Sequence, residues 1–382
     1  MRILHLRSGQ GIYGAETVLL GLGRACAARH TVVVGVLADA RYDAEPALLA
    51  AARARGLTAV AVPVKGRLDP AAPWRIRALA KQWDVDVVHS HDYKSTILAT
   101  AGLVGTGRRH VATLHGDTGE SKAVQLYERA LYGVLPLLDA VATVSEGLLE
   151  KVRARAPRAV AAGKVRWIAN GLDEAALAAR VQRGRDEVRA ELGVAAGQRL
   201  VLAVGRLSVE KHHVGLIEAA AGLGGDVVVA IAGDGPLKDE LAAAARRVGV
   251  EGRLRLLGAR GDVADLYRAA DVLAHPSLTE GLPMVVLEAM ASGLPVVASD
   301  VGEIARTVDA GGRDGGDAAA ACGVVVKPGD VAALRDALAG VLAWGEAERA
   351  AFSQRARRRV TEKFGVDAMA RRYEAEIYGA GG

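Results

Sequence analysis

The chain runs twice through the same rhythm of short aliphatic strands and amphipathic helices, with a polar interruption between the runs. In the first run, Ile3–Leu6 and Thr31–Leu37 read as strands. Between them, residues 15–28 place Ala15, Val18, Leu19, Leu22, Ala25 and Cys26 at helical spacing. Further strands are expected at Ala59–Pro63, Val85–His89, His110–Leu114, Ala140–Val144 and Val165–Ile168, with helices near 74–83, 94–103, 121–134 and 146–154. An Arg/Ala/Gly-rich interval around 174–198 breaks the pattern. The second run then sets strands at Arg199–Val204, Val227–Ala232, Leu254–Leu257, Val272–His275, Val296–Ala298 and Val324–Val326. Helices are expected at 212–222, 236–247 and 284–292, and again at 330–343, 347–361 and 366–378. Thr31–Leu37 is a β-branched run with no polar alternation, as expected for a strand covered on both faces. Alternating strands and helices predict two α/β domains, each a doubly wound parallel sheet. The boundary is expected near 190, giving 1–190 and 191–365. The Gly/Asp/Ala-rich stretch 309–323 reads as a mobile loop.

Composition narrows the class. The length of 382 residues exceeds one ordinary core. No apolar run reaches the roughly 18 residues of a membrane span. Met1-Arg2-Ile3-Leu4-His5 enters a strand without a leader pattern. Cys26 and Cys322 lie far apart in Ala/Gly-rich surroundings and read as buried free thiols, so a cytoplasmic setting is expected. Of the net charge of +5, residues 1–190 carry 27 basic and 18 acidic side chains, and the remainder 22 and 26. The basic first half suits a solvated Arg-rich face or an anionic acceptor or membrane surface. Few aromatics accompany the charge, so nucleic acid is not expected as a partner.

Several constellations carry chemistry. Gly9-Gln10-Gly11-Ile12-Tyr13-Gly14 follows a strand and opens a helix, and Asp39 lies about one strand further on. The pattern fits a dinucleotide site, a loop whose backbone approaches a sugar phosphate, or a structural turn. In the second run, Gly205-Arg206-Leu207-Ser208-Val209-Glu210-Lys211 follows an aliphatic strand. Open α/β sheets bind ligands at that end, and Arg206 and Lys211 are cations suited to phosphate. Downstream, Glu280 and Glu288 bracket the start of a helix with Pro283 at its first position. The free N–H groups near Met284 suit a diphosphate, Glu280 suits sugar hydroxyls, and Glu288 suits a ribose. His115 ends a strand before Gly116-Asp117 and points to a sugar-binding role. His89-Ser90-His91 lacks a third ligand at persuasive spacing, so no metal is expected.

These motifs resemble the retaining glycosyltransferases of family four, with the GT-B fold. The resemblance rests on Gly205-Arg206-Leu207-Ser208…Lys211, Gly233-Asp234-Gly235-Pro236, His275-Pro276-Ser277 and Glu280-x7-Glu288. In the first half it rests on Gly11-Ile12-Tyr13-Gly14-Ala15-Glu16, Thr113-Leu114-His115-Gly116, Val144-Ser145-Glu146 and Asn170-Gly171-Leu172-Asp173. It implies two Rossmann-like domains facing across a cleft, with the helix near 366–378 returning to the first. It implies Arg206 and Lys211 on the donor diphosphate and Glu288 on the ribose. Glu280 and His115 would meet the transferred sugar. Backbone near Gly14, Gly205, Leu282, Pro283 and Met284 would approach the donor. The implied reaction moves a sugar from a nucleoside diphosphate, uridine foremost, to an acceptor hydroxyl, saccharide or lipid-linked, with no cofactor. No carboxylate pair in the first half stands out as nucleophile and acid, so a front-face route is expected. A nucleotide-sugar epimerase of the same fold and a nicotinamide oxidoreductase stand as alternatives.

Overall fold

The computed structural model describes residues 1–382 apart from 10, 13, 40, 42–44, 67–68, 117–121, 310–320 and 380–382, with the backbone alone at 122–126 and 128. The expected loop at 309–323 therefore falls largely outside the described residues, as does Asp117. The chain forms two compact units, Met1–Gly171 with Val366–Gly382, and Leu172–Gly365.

The first unit holds β1 (Arg2–Ser8), β2 (Thr31–Asp39), β3 (Thr58–Val64), β4 (Val87–Ser90), β5 (Arg109–Leu114), β6 (Ala140–Thr143) and β7 (Val165–Trp167). They pair in parallel in the order β3-β2-β1-β4-β5-β6-β7. Leu4 and Leu6 point to one face, where they join a buried cluster with Val33, Ile76, Val88 and Ala99. Ile3 and His5 lie on the opposite face by strand alternation and are fully buried. The helix Gly14–Ala27 packs against Val366–Arg372.

The second unit holds β8 (Arg199–Val204), β9 (Val227–Ala232), β10 (Leu254–Gly258), β11 (Val272–His275), β12 (Val296–Ser299) and β13 (Val324–Val326). All pairings are parallel, in the order β10-β9-β8-β11-β12-β13. Every residue of β9 is buried, as its Val-Val-Val-Ala-Ile-Ala run predicts. In both sheets the winding reverses beside the first strand, between β1 and β4 and between β8 and β11. Such reversals open a crevice at the carboxyl ends of the strands.

Three expectations change. Residues 172–190 belong to the second unit, which begins at Leu172 and not near 191. Buried Asp265 and Asp271 draw the Arg-rich segment onto it. Gln182 and Arg183 donate backbone N–H groups to Asp265 Oδ1 at 2.8 and 3.2 Å, and Arg185 Nη2 reaches Asp271 Oδ1 at 2.6 Å. The segment also folds locally, as helices Glu174–Ala178 and Arg185–Glu191. The helices Ala47–Ala54 and Val263–Ala269 were absent from the sequence reading, the second being a short Ala-bearing segment with weak apolar periodicity. Finally, the terminal segment is an α-helix over Val366–Arg372 that widens to a π-helical turn at Tyr373–Tyr378. Tyr373 OH lies 2.9 Å from Thr113 Oγ1, and Tyr378 OH lies 2.8 Å from His89 Nδ1.

Candidate active site

In the second unit the site is built around the end of β8. The turn at Gly233 braces the following loop: a Cβ at Gly233 would lie 1.8 Å from Gly205 O, so no larger residue fits. Leu207 N donates to Asp234 O at 3.0 Å, and Leu237 N to Leu207 O at 3.1 Å. Arg206 is held exposed on this loop. A 3-10 turn over Val209–Lys211 ends at His212, whose left-handed φ of 49° redirects the chain into the helix His213–Ala221. Across the crevice, Leu278 N donates to Glu210 O at 2.8 Å, tying the segment after β11 to the loop after β8.

Glu280 sits where these segments meet. Its Oε1 receives Lys211 Nζ at 2.5 Å and Ser277 Oγ at 2.8 Å, and lies 2.8 Å from His275 Nε2. Burial pushes the carboxyl up, but the His275 hydrogen bond and the Lys211 charge outweigh it and bring it to about 2. Glu280 is thus an anion at neutral pH, with a cation on it. Gly302 presses on the same backbone: with φ of 56°, its Cβ would lie 2.4 Å from both Glu280 O and Gly281 O.

The helix Met284–Ser292 forms over the expected range, but Pro283 precedes it as the cap residue and does not stand at its first position. Leu282 and Pro283 are buried and Met284 half-buried. Glu288 accepts a hydrogen bond from Tyr267 OH at 2.8 Å. Burial raises its carboxyl above the ordinary range, against the lowering effect of that bond and of Arg180. The second unit therefore brings Gly205, Arg206, Lys211, Glu280, Leu282, Pro283, Met284 and Glu288 to one end of one sheet.

Gly14 and His115 belong to the first unit. Gly14 is the exposed first residue of its helix, and its neighbour Ala15 lines a cavity of about 270 Å³ together with Arg7, His91, Tyr93, His115 and Tyr132. Arg7 Nε donates to Glu16 Oε1 at 2.8 Å, and its Nη1 to His91 O. Ser8, at the end of β1, donates to Asp92 through N at 2.7 Å and through Oγ at 2.9 Å, bridging the reversal of the sheet. His115 Nε2 lies 3.2 Å from His91 Nδ1. Asp39, the acid a dinucleotide site would place on a ribose, is bonded by both oxygens to the Arg41 guanidinium, at 3.0 and 2.6 Å.

The rings of His5, His89 and His91 crowd together with their nitrogens within 4.8 Å of one another. His89 spends both on Tyr378 and on Thr113 Oγ1, the latter at 2.7 Å, and His91 spends both on His5 and His115. An ion there would have to displace these bonds.

Sequence reasoning named His275 and Ser277 only as part of a motif, and missed Tyr267, Gly302, His5 and the cavity role of His91. Pro276, directly after an aliphatic strand, is the local signal for the first pair. Tyr267 and Gly302 carry no local signal, because each acts on a segment from another part of the chain.

Both units of the chain resemble known proteins. The family model for glycosyl transferases group 1 matches residues 184–359, and that for Glycosyltransferase Family 4 matches residues 12–176. The putative glycosyltransferase EpsF of Bacillus subtilis is 31% identical over 323 residues, covering 81% of this chain and 81% of that protein. The UDP-Gal:alpha-D-GlcNAc-diphosphoundecaprenol alpha-1,3-galactosyltransferase of Escherichia coli is 33% identical over 237 residues, 58% of this chain and 60% of that protein. Among solved structures, Anabaena HepE in complex with UDP-glucose superposes with a TM-score of 0.81 at 22% identity, over 99% of this chain and all of that one. The fold is GT-B, two parallel-sheet α/β domains.

Proposed function

This chain belongs to the group 1, family 4 glycosyltransferases, and we propose that it moves a sugar from a UDP-sugar to an acceptor hydroxyl with retention at the anomeric carbon. The observation that carries the reading is the meeting of Lys211, His275 and Ser277 on the Glu280 carboxylate at the carboxyl ends of β8 and β11. Cation and sugar-hydroxyl acceptor lie within one hydrogen bond of each other, as a sugar diphosphate demands. The UDP-glucose complex of HepE and the UDP-Gal name of the E. coli relative support uridine as the donor base.

The residues take the following parts. Arg206 and Lys211 hold the diphosphate, assisted by the N–H groups of Leu282 and Met284. Glu288 takes the ribose and Glu280 the transferred sugar. His115 takes a sugar hydroxyl, and the Gly14 and Gly205 backbones approach phosphates. As the bond from the anomeric carbon to the diphosphate oxygen breaks, negative charge grows on the leaving group, and the two cations stabilise it. The acceptor oxygen bonds to the same face of that carbon, and its proton passes to the departing phosphate oxygen. This balance requires neither a metal nor a protein nucleophile.

A lipid-linked acceptor at the inner membrane face fits the basic first half. The helix Ala72–Gln82 presents Trp74, Arg77 and Lys81 to solvent, has no acidic residue, and leaves Trp74 70% exposed. An amphipathic ring beside cations suits the headgroup region of an anionic bilayer. Among the described residues no helix is long and apolar enough to cross a membrane.

The test is a panel of UDP-, GDP-, ADP- and dTDP-sugars, read by calorimetry and by nucleotide release with saccharide and lipid-linked acceptors. A UDP-sugar binds, and UDP release depends on Lys211. Failure of every nucleotide sugar to bind overturns the reading. Conversion of the donor to an epimer without acceptor replaces it by the epimerase.

A further inference from the structure

Glu288 divides its two carboxylate oxygens between two tasks. Oε2 accepts the Tyr267 hydroxyl at 2.8 Å. Oε1 has no hydrogen-bond partner among the described residues, yet it is not one of their sealed, partnerless atoms, so it stays open to solvent. Tyr267 is buried on the helix Val263–Ala269, and burial together with the Glu288 charge pushes its hydroxyl well above the ordinary phenol range. It is therefore an O–H donor at every working pH.

A glutamate without an anchor turns either oxygen, or both, to whatever donor it meets. One held at Oε2 by a ring packed in a core cannot, because close packing leaves that ring one place to stand. Glu288 then presents Oε1 alone. A hydroxyl that meets this oxygen makes a charge-assisted bond. A ligand without the hydroxyl leaves a carboxylate oxygen unpaired in a partly buried site, and sites built to bond a hydroxyl reject the analogue that lacks it.

We propose that Tyr267 is a positioning residue that fixes Glu288 by Oε2, offers Oε1 to the donor ribose, and thereby selects ribonucleotide over deoxyribonucleotide donors. That Glu288 meets a ribose rests on the glycosyl-transfer reading; the anchor on Oε2 does not. The same bond sets the pH range of the contact. Burial raises the Glu288 carboxyl, while the Tyr267 bond and the Arg180 charge hold it down. The other ionisable groups on elements packed against the helix Met284–Ser292 are committed elsewhere. Asp265 accepts from Arg183 N, Glu174 from Thr361 Oγ1, Arg357 donates to Ser292 O, His275 bonds Glu280, and Arg268 is exposed. Without the phenol hydroxyl the Glu288 carboxyl rises further, and once protonated it is no longer an acceptor-only group.

Calorimetry with UDP, 2′-deoxy-UDP and 3′-deoxy-UDP tests this on the unsubstituted protein, Tyr267→Phe, Glu288→Ala and the double variant. The unsubstituted protein should prefer UDP to at least one deoxy form by about 10²-fold, as loss of a bond to a charged group implies, and Tyr267→Phe should bring that ratio to about 10-fold. As the pH is lowered, the ratio should fall earlier in Tyr267→Phe; taking a ratio cancels the titration of the phosphate itself. In Glu288→Ala, adding Tyr267→Phe should leave UDP affinity unchanged, because the phenol then has nothing to position, whereas a merely structural role weakens UDP in both backgrounds. Equal affinity for UDP and both deoxy forms in the unsubstituted protein overturns the proposal, as does an undiminished ratio in Tyr267→Phe or equal weakening in both backgrounds. If Tyr267→Phe does not fold, a crystal structure of the UDP complex decides. Oε2 on Tyr267 with Oε1 on a ribose hydroxyl upholds the proposal, and a ribose on Oε2 or a broken Tyr267 bond overturns it. Failure of UDP itself to bind defeats the glycosyl-transfer reading and this proposal together; UDP binding without ribose selectivity defeats this proposal alone.

Discussion

The two sheets reverse their winding at equivalent places, between β1 and β4 and between β8 and β11, but the crevices are filled with opposite chemistry. At the first, neutral histidines are packed ring on ring, His89 against His91 at 4.0 Å and His91 against His115 at 5.5 Å. At the second, a lysine ammonium rests on a glutamate carboxylate. One topology supports both because the crevice supplies only position, while the residues after each strand supply the charge. The charged crevice suits a diphosphate whose charge grows during reaction. The neutral one suits hydroxyl groups, which need direction more than charge.

The largest expected effect separates the two by pH. For a buried histidine of depressed pKa, the unfolded chain takes up a proton near pH 6.5 and the folded chain does not. Its stability contribution is whole above 6.5 and is lost as pH falls toward the folded value, about 3 for His5 and His115. At pH 5.5 the unfolded chain gains about 1 kcal/mol from each such histidine, and the first unit holds five of them, His5, His89, His91, His110 and His115. In the second unit His213, pushed down to about 4, is held in the same way and contributes about 1 kcal/mol. Hydrogen exchange resolved by peptide at pH 7 and 5.5 should show the first unit loosening ahead of the second. Equal loosening would erase the contrast.

Next in size is Lys211→Ala. Losing one donor to a developing anion costs about 3–4 kcal/mol of barrier, so kcat should fall by about 10²–10³ at saturating donor. A rate near that of the unsubstituted enzyme would remove charge stabilisation from the second crevice. Glu280→Gln then sharpens the pH contrast. The Glu280 carboxyl lies near 2 in the folded chain and 4.5 unfolded, so its stability contribution, about 3 kcal/mol, is present above pH 4.5 and lost as pH falls toward 2. Urea denaturation should show the two proteins differing at pH 6 and converging in acid.

Tyr267→Phe removes the donor to Glu288 and should cost about 2 kcal/mol of stability, with weaker UDP binding by calorimetry. Smallest is Asp92→Ala, which deletes the cap on the helix Tyr93–Leu103 and the bonds to Ser8, and should cost about 1 kcal/mol by thermal unfolding. A loss as large as that of Lys211→Ala in kcat would give the first crevice a share in the chemistry that its neutrality argues against.

The sequence made the strands and the charged crevice readable because their signals are local. Aliphatic runs such as Val227–Ala232 bury on both faces, and Arg206, Lys211, Glu280 and Glu288 each stand just beyond a strand or at a helix start. The histidine cluster was not readable. It depends on the register of β1 against β4, which sets His5 beside His89, and no local pattern fixes a parallel register. The domain boundary slipped for a related reason. Asp265 and Asp271 claim Arg183, Arg185 and Arg189 from about 80 residues away. Composition alone makes that segment look like a linker.

The return of Val366–Tyr378 to the first unit has a consequence for biosynthesis. The stretch Leu172–Gly365 is continuous in the chain, so every partner of the second unit precedes residue 366 in the order of synthesis. The N-terminal portion, made first, must wait: the tyrosines that bond His89 and Thr113 are made after the whole of the second unit. Completion thus runs against the order of synthesis: a chain that lacks residues 366–378 holds every segment of the second lobe and only part of the first.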